Sequence, residues 1–513
     1  MEEKFYITTA IPYMNSKLHL GQIYEFIMAD IIARYNRLME KDVYFLTGSD
    51  EHGQKIYKAA QQKGEPVQGY VDKMVEDMKR LLRLYHISND GFIRTTDSRH
   101  EKIVQNILDR LKDNGDLYKG HYEGNYCIPC ETFYTDAQII EGKCPDCGRE
   151  TEKIKEENYF FKLSSYQQKL IDHIEENPDF VIPETRKNEV LGLLKQGLKD
   201  ISVTRTAVTW AVPVPFDDKH YCYVWVDALI NYISALGFSL KEDALFEKYW
   251  PADQHHIGKD ILKFHTLIWP ALLMSLGVDL PKHVVVHGWI LLGEEKLSKS
   301  KGVTLDPDQL AQDYGVDAIR YFVAREISFG NDGSFTYDSL VKRYNGDLSN
   351  DIGNLVSRTV TMVNKFSEGK VPVDSGEDGG FKSEWENAKQ EFMDHIENFK
   401  FTEALSRLWS LVNKANKYIE DTQPWSLAKS GDRKDKERLN SILYQLVETI
   451  RLCSLALYPF MPHTTERIMG QFGIKEDVSS LKFSKQGKWG YYAGGSVLGP
   501  KEILFPRIKE DKK

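Results

Sequence analysis

The chain has 513 residues, 41% hydrophobic and 12% aromatic, enough to bury a large core and too many for one compact unit at roughly 150 residues per domain. Its 67 basic and 76 acidic side chains give a formal net charge of -9, which excludes a general polyanion binder but leaves room for a local basic surface. The opening MEEKFYITTA lacks the basic and long apolar regions of a secretory signal, and the most apolar stretch, FHTLIWPALLMSLGV, is interrupted by His265 and Pro270 and is shorter than a membrane span, so the chain reads as cytosolic.

From the amino terminus, KFYITTAIPY reads as a buried strand running into a turn at Pro12. KLHLGQ follows, and GQIYEFIMADIIARYNRLME then repeats apolar residues at helical spacing. DVYFLTGSDEHG is a second apolar run that ends in glycine and acids, where a loop leaves a sheet. Further strands are expected at HYCYVWVD and KHVVVHGWI, with QHHIGKDILKFHTLIWPALLMSLG supplying a loop and a long helix between them. Strands alternating with helices predict a doubly wound parallel α/β sheet, whose ligand site lies at the carboxyl ends of the strands. After about residue 346 the texture changes to long helical periodicities, as in EALSRLWSLVNKANKYIED, which predict a helix bundle.

Residues 116–205 interrupt the alternating pattern and carry four of the six cysteines. Cys127, Cys130, Cys144 and Cys147 form two Cys-x2-Cys pairs, with Pro129, Pro145 and Gly148 as turn formers. Two such knuckles facing each other supply four thiolates in a tetrahedron, the donor set of a structural zinc with no position open to substrate. Cys222 and Cys453 stand alone and read as packing residues.

The stretch EEKLSKSKG, residues 294–302, places three lysines within six positions of an acidic chain. An isolated lysine cluster reads as a solvated face. Here it follows VVVHGWILLG, the last sheet segment, and it pairs with HLGQ after the first strand. A histidine, a glycine and a helix amino terminus together offer donors and close backbone approach to a phosphate.

HLGQ and KLSKS resemble the two signature sequences, usually written HIGH and KMSKS, of the class I aminoacyl-tRNA synthetases. The resemblance narrows to the methionyl-tRNA synthetases through TTAIPYMNSKLHLGQ, TGSDEHGQKI, YVWVDALINYI, HIGKDILKFHTLIWPALL and GDLSNDIGNLVSR, and it extends to the closing LFPRI. The chain departs from the pattern at Gln22, where the signature ends in His, and at Leu297, where Met is commoner. Glutamine can donate a hydrogen bond but cannot carry a proton's charge, whereas Leu for Met nearly conserves apolar volume.

The resemblance implies methionine activation by ATP to the adenylate, with release of pyrophosphate, followed by transfer to the 3′ end of tRNA-Met, initiator and elongator alike. It implies that His19, Gly21, Gln22, Lys296 and Lys299 carry the catalysis. ATP would be held by His19, Gly21, Gly258, Asp260, Lys296, Ser298, Lys299 and Ser300, with Mg2+ accompanying the nucleotide. The methionine side chain would be received by Ala10, Ile11, Tyr13, Trp225, Ala228, Leu229, Tyr232, Ile261 and His265, and its ammonium by Asp50. Leu229 stands where proline also occurs in the family. Asn350, Asn354 and Arg358, spaced at i, i+4 and i+8 on one helix face, would read the CAU anticodon together with Trp425, which offers a stacking platform.

The implied organisation is a Rossmann-like catalytic domain in two halves, 1–115 and 206–325, with the zinc-knuckle insertion 116–205 between them. A stem-contact linker at 326–345 leads to an all-α anticodon-binding domain at 346–513. A small nucleotidyltransferase of the same fold would not need the carboxy-terminal bundle, and a non-catalytic zinc-knuckle RNA-binding protein would leave both signatures unexplained. The insertion is too short for the hydrolytic editing domain of the valine, isoleucine and leucine enzymes. The chain ends soon after LFPRI without the dimerising tRNA-binding module of some relatives, so a monomer is expected.

Overall fold

The computed structural model describes residues 3–127, 132–134, 139, 141–145, 148–239, 244–292, 295–296, 305–374, 379–492 and 494–509. The strands β1 (Lys4–Thr9), β2 (Asp42–Ser49) and β3 (Gly91–Arg94) come first in the chain. Then follow β4 (Leu117–Cys127), β5 (Thr132–Tyr134), β6 (Glu152–Phe161), β7 (Val181–Ile182) and β8 (Ile201–Ser202). A short ladder of β9 (Thr204–Arg205) with β10 (Tyr221–Cys222) precedes β11 (Gln254–Gly258) and β12 (His283–His287).

The central sheet has the order β3-β2-β1-β11-β12-β7, and every neighbouring pair is parallel. Its strands read as continuous apolar runs because both faces are covered. Phe5 and Ile7 of β1, Val43 and Phe45 of β2 and Val285 of β12 enter one core. The alternate residues Tyr6, Leu46, Val284 and Val286 enter the other, as the two-residue period of a strand requires.

Two segments depart from the sequence expectation. QHHIG, read as a loop, is β11 in the middle of the sheet; its histidines His255 and His256 are buried, and polar residue types had disguised a core strand. HYCYVWVD, read as a strand, gives only the two residues of β10 before the helix Val224–Ser234 begins. That helix is buried along almost its whole length, so its apolar run carries no clear helical period.

Within residues 116–205, β4 and β6 form a long antiparallel ribbon in a sheet of order β5-β4-β6-β8. The same stretch also returns β7 to the edge of the main sheet beside β12. The carboxy-terminal part is helical, chiefly Phe381–Glu397, Phe401–Thr422, Arg433–Leu457 and Pro462–Gln471. It shares one continuous apolar core with helix α1 (Leu20–Leu38).

A buried charge cluster crosses that junction. Asp30 of α1 accepts from Arg34 Nε at 2.8 Å and from Arg320 Nη2 at 2.7 Å. Arg320, wholly buried, also donates to the carbonyls of Tyr85, Pro459 and Phe460. The two guanidinium groups outweigh the cost of burial and hold the Asp30 carboxyl down at about 2.

Candidate active site

His19 is the N-cap of α1, with extended backbone angles of φ -124° and ψ 171°. Its Nδ1 accepts from the Gly21 N–H at 3.1 Å, and Gln22 Oε1 accepts from the His19 N–H at 3.0 Å. This reciprocal capping box satisfies two amides at the start of the helix. With Nδ1 accepting, the neutral ring carries its proton on Nε2, the nitrogen that would donate to a phosphate. A Cβ on Gly21 would stand 2.9 Å from His19 Cε1 and 3.0 Å from Nδ1, so glycine is what lets the imidazole fold over the helix end. Gln22 turns its amide oxygen back to the cap, which gives a structural use to the residue that replaces the signature's last histidine.

Of the residues expected to receive methionine, Ala10, Ile11 and Tyr13 follow the carboxyl end of β1, Asp50 that of β2 and Ile261 that of β11, while Trp225, Ala228, Leu229 and Tyr232 lie on the helix Val224–Ser234. Ala10, Ile11, Tyr13, Trp225 and Ile261 pack against the core that contains Leu229 and Tyr232. Ala228 is buried beside them in the sequence. Asp50, just past β2, forms a parallel bridge with Tyr13, with Asp50 N–H donating to Pro12 O at 3.0 Å and Met14 N–H to Asp50 O at 2.9 Å. Trp225 stacks on Phe264 with centroids 3.8 Å apart.

The Tyr232 hydroxyl and His265 Nε2 are 2.7 Å apart, and His265 Nδ1 is 3.1 Å from Ile261 O. A carbonyl only accepts, so Nδ1 carries the proton and Nε2 accepts from the tyrosine. Burial pushes the His265 imidazole down to about 4, and the tyrosine hydroxyl is pushed up by burial as well. Both groups are therefore neutral at physiological pH, as a slot for an uncharged thioether requires.

Gly258 ends β11 opposite His287 of β12. A Cβ on Gly258 would stand 2.8 Å from Asp260 Oδ1 and 3.6 Å from His287 Cε1, so three strand-end residues crowd one point. Asp260 Oδ1 accepts from Trp289 Nε1 at 3.2 Å. Here the structure adds Glu25 and His287, which the sequence reading passed over. Glu25 Oε1 accepts from the Ala10 N–H at 2.7 Å, and its Oε2 lies 3.0 Å from His287 Nε2. His287 Nδ1 donates to Gly288 O at 2.7 Å, so a further proton must lie between Nε2 and the carboxylate. Burial works against the charge on His287, but Glu25 outweighs it and holds the imidazole above its usual value. The available signal was an acid inside the nearly all-buried helix α1.

β13 (Ile290–Leu292) continues from this point and pairs with β14 (Glu295–Lys296), Leu291 facing Lys296, and with β15 (Gly333–Phe335). The backbone of Lys296 is thus placed at the end of the sheet, while Leu297, Ser298, Lys299 and Ser300 lie outside the described residues.

In the helical part, Tyr344–Gly353 is π-helical and runs straight into the helix Asn354–Phe366. Asn350 and Asn354 are exposed and Arg358 is half-buried, its Nη2 2.7 Å from Glu420 Oε1. Trp425, 37% exposed, sits in the short helix Pro424–Leu427 directly after Gln423, whose φ of 44° turns the chain. An exposed indole next to a sharp turn is an unusual use of a large apolar surface.

Of the four cysteines proposed for zinc, Cys130 and Cys147 lie outside the described residues. Cys127 and Cys144 are both buried and share a small cluster with Ile139, separate from the two large cores. The Gly148 N–H donates to Cys144 O at 2.8 Å, with Gly148 at φ +70°. Two thiols, one at the end of β4 and one before Gly148, thus lie together away from the main cores, which fits half of the expected donor set.

The family described as tRNA synthetases class I (M) matches residues 5–156 and 148–360, and the anticodon-binding domain of tRNA ligase matches 378–494. The methionine–tRNA ligase of Caldanaerobacter subterraneus subsp. tengcongensis is 49% identical over 100% of this chain and 80% of its own length. That of Thermotoga maritima is 46% identical over 98% of this chain and 80% of its own. The structure of Mycobacterium tuberculosis methionyl-tRNA synthetase in complex with methionyl-adenylate superposes with a TM-score of 0.93 at 39% identity, covering 98% of this chain and 100% of that one. Its apo form superposes at 0.87, with 35% identity, over 100% of this chain and 99% of that one. By sequence along its whole length and by fold, the chain belongs to the class I methionyl-tRNA synthetases.

Proposed function

We propose that this chain joins methionine to ATP as methionyl-adenylate, releasing pyrophosphate, and then transfers the methionyl group to the terminal ribose of tRNA-Met, releasing AMP. What supports this reading is the neutral Tyr232–His265 pair together with the helix amino terminus capped by His19, a helix that the bond from the Ala10 N–H to Glu25 Oε1 ties to the end of β1. The methionine carboxylate attacks the α-phosphorus. Asp50 holds the ammonium, and Ala10, Ile11, Tyr13, Trp225, Ala228, Leu229, Tyr232, Ile261 and His265 enclose the thioether.

Phosphoryl chemistry of this kind needs positioning and charge neutralisation more than a side-chain nucleophile. His19 and the helix start at Gly21 receive the phosphates, and Gly258 and Asp260 receive the nucleoside. Lys296 and Lys299 meet the charge that develops on the leaving pyrophosphate, and Ser298 and Ser300 hold that segment against the nucleotide. Mg2+ bound with ATP would supply neutralisation of phosphate charge beside these residues. Gln22 acts through His19 as its cap.

One zinc held by Cys127, Cys130, Cys144 and Cys147 would cross-link the tip of the insertion and take no part in the chemistry. The boundaries 1–115, 116–205, 206–325, 326–345 and 346–513, a cytoplasmic location and a monomeric state belong to the same reading. The described residues contain no helix long and apolar enough to cross a membrane.

Asn350, Asn354, Arg358 and Trp425 read the CAU anticodon. Trp425→Ala tests that assignment, because loss of one base–aromatic stack costs about 1–3 kcal/mol, roughly 5- to 150-fold. Charging of a CAU tRNA should fall by that factor, while methionine-dependent pyrophosphate exchange without tRNA stays near wild type. Equal losses in both reactions would make Trp425 a residue of the fold.

A further inference from the structure

Behind the methionine slot is a buried polar network with no place in the steps above. Asp227 is 1% exposed, and each of its carboxylate oxygens has its own imidazole partner. Oδ2 lies 2.8 Å from His52 Nδ1, and Oδ1 lies 2.9 Å from His100 Nε2. The far nitrogen of His100 meets Ser234 Oγ at 2.7 Å, and that of His52 faces Glu101 Oε1 at 3.6 Å.

His52 stands two residues after Asp50 in TGSDEHG, and Asp227 stands two after Trp225 in VWVDAL. The His52–Asp227 bond therefore joins the segment assigned to the ammonium with the helix assigned to the thioether. At 3.6 residues per turn, Trp225, Leu229 and Tyr232 fall within about 60° of one another on the side of the helix Val224–Ser234 opposite Asp227. An anchor on one face sets the direction of the other.

The His52 side is itself immobilised. Trp210 Nε1 donates to Glu51 O at 2.6 Å, Gly53 N–H donates to Trp210 O at 2.8 Å, and the indole meets the His52 ring edge-on at 5.7 Å. Glu51 is gripped by Arg94 through two 2.8 Å bonds.

We propose that Asp227 is a positioning residue for methionine: bridged by His52 and His100, it fixes the rotation of the Trp225 helix relative to the segment that carries Asp50. This rests on the assignment of Asp50 and Trp225 to the amino acid. Burial opposes ionisation of Asp227, but the two imidazoles outweigh it and hold the carboxyl down at about 2, so the anchor stays charged through the neutral range.

The geometry gives the two histidines opposite amide mimics. His52 binds through Nδ1, which an asparagine amide reproduces and a glutamine amide overshoots; His100 binds through Nε2, which glutamine reproduces and asparagine fails to reach. Four variants, H52N, H52Q, H100N and H100Q, are compared by methionine-dependent pyrophosphate exchange and by thermal unfolding. H52Q and H100N should raise the methionine KM by about tenfold or more, the factor for one lost charge-assisted bond, with the ATP KM within about threefold of wild type. H52N and H100Q should keep the methionine KM within about threefold.

The proposal is overturned if glutamine is the better substitute at both positions, as side-chain volume alone dictates, or if the methionine KM merely follows the melting temperature across the set. Asp50→Ala separates the proposal from its premise. A methionine KM unmoved in D50A removes the site assignment, whereas a raised KM in D50A with H52N no better than H52Q removes only the brace.

Discussion

Gly21→Ala perturbs the proposed phosphate site through a single methyl group. The added Cβ would lie 2.9 Å from His19 Cε1 and 3.0 Å from Nδ1, closer than real contacts allow, and the movable partner is the imidazole. Turning the ring away breaks the 3.1 Å bond from the Gly21 N–H to Nδ1. Loss of an N-cap costs about 1 kcal/mol, while Gly to Ala inside a helix returns roughly 0.5–1 kcal/mol, so the fold should stay within about 1 kcal/mol of wild type. The chemistry has no such offset. A displaced Nε2 gives up a hydrogen bond to a charged phosphate, about 1.5–3 kcal/mol, which corresponds to roughly 10- to 150-fold in kcat/KM for ATP. Pyrophosphate exchange at saturating methionine, with denaturant unfolding of the same preparation, measures both quantities. A G21A enzyme with wild-type exchange would refute the role given to His19, and a variant destabilised by several kcal/mol would refute the offset.

Lys299→Ala should slow adenylate formation by on the order of 100-fold in single-turnover experiments with methionine affinity nearly kept, because the charge is met mainly in the transition state. Metal analysis should find one zinc per chain, and Cys144→Ala should lose it; active wild-type protein free of zinc would defeat the knuckle. The buried imidazoles of His265 and His256 should each withdraw stability as pH drops from 7 to 5. Burial depresses His265 to about 4 and His256 to about 3, so below their unfolded pKa near 6.5 the unfolded chain binds protons that the folded one refuses. Each should cost roughly 2 kcal/mol at pH 5, lost progressively as pH falls through that window, and His256→Gln should flatten the slope measured by denaturant unfolding.

What the sequence made legible was whatever repeats a period or completes a spacing. The apolar runs of β1, β2 and β12 and the amphipathic carboxy-terminal helices carry their own signal, and HLGQ gained meaning from its place after a strand. β11 stayed hidden because its buried face is built from histidines, which look like surface residues until Thr8, Trp269 and Tyr232 are seen around His255. The first turn of the helix Val224–Ser234, within HYCYVWVD, reads as extended because a segment buried on all sides loses the alternation that tells a helix from a strand. Glu25, His287, His52, His100 and Asp227 meet across separations of up to 262 residues, and no local pattern announces such contacts. Gln22 is the reverse case. It is a departure from a motif whose meaning, a capping oxygen for His19, appears only once the helix start is built.

The most direct test of the whole account is ATP–pyrophosphate exchange with the purified chain, run separately with each of the twenty amino acids in the absence of tRNA. Exchange should require methionine, with every other amino acid near background, because the slot around Tyr232 and His265 is uncharged, aromatic and closed by neutral groups. Exchange driven better by another amino acid, or no exchange with methionine in zinc-replete protein, would contradict it.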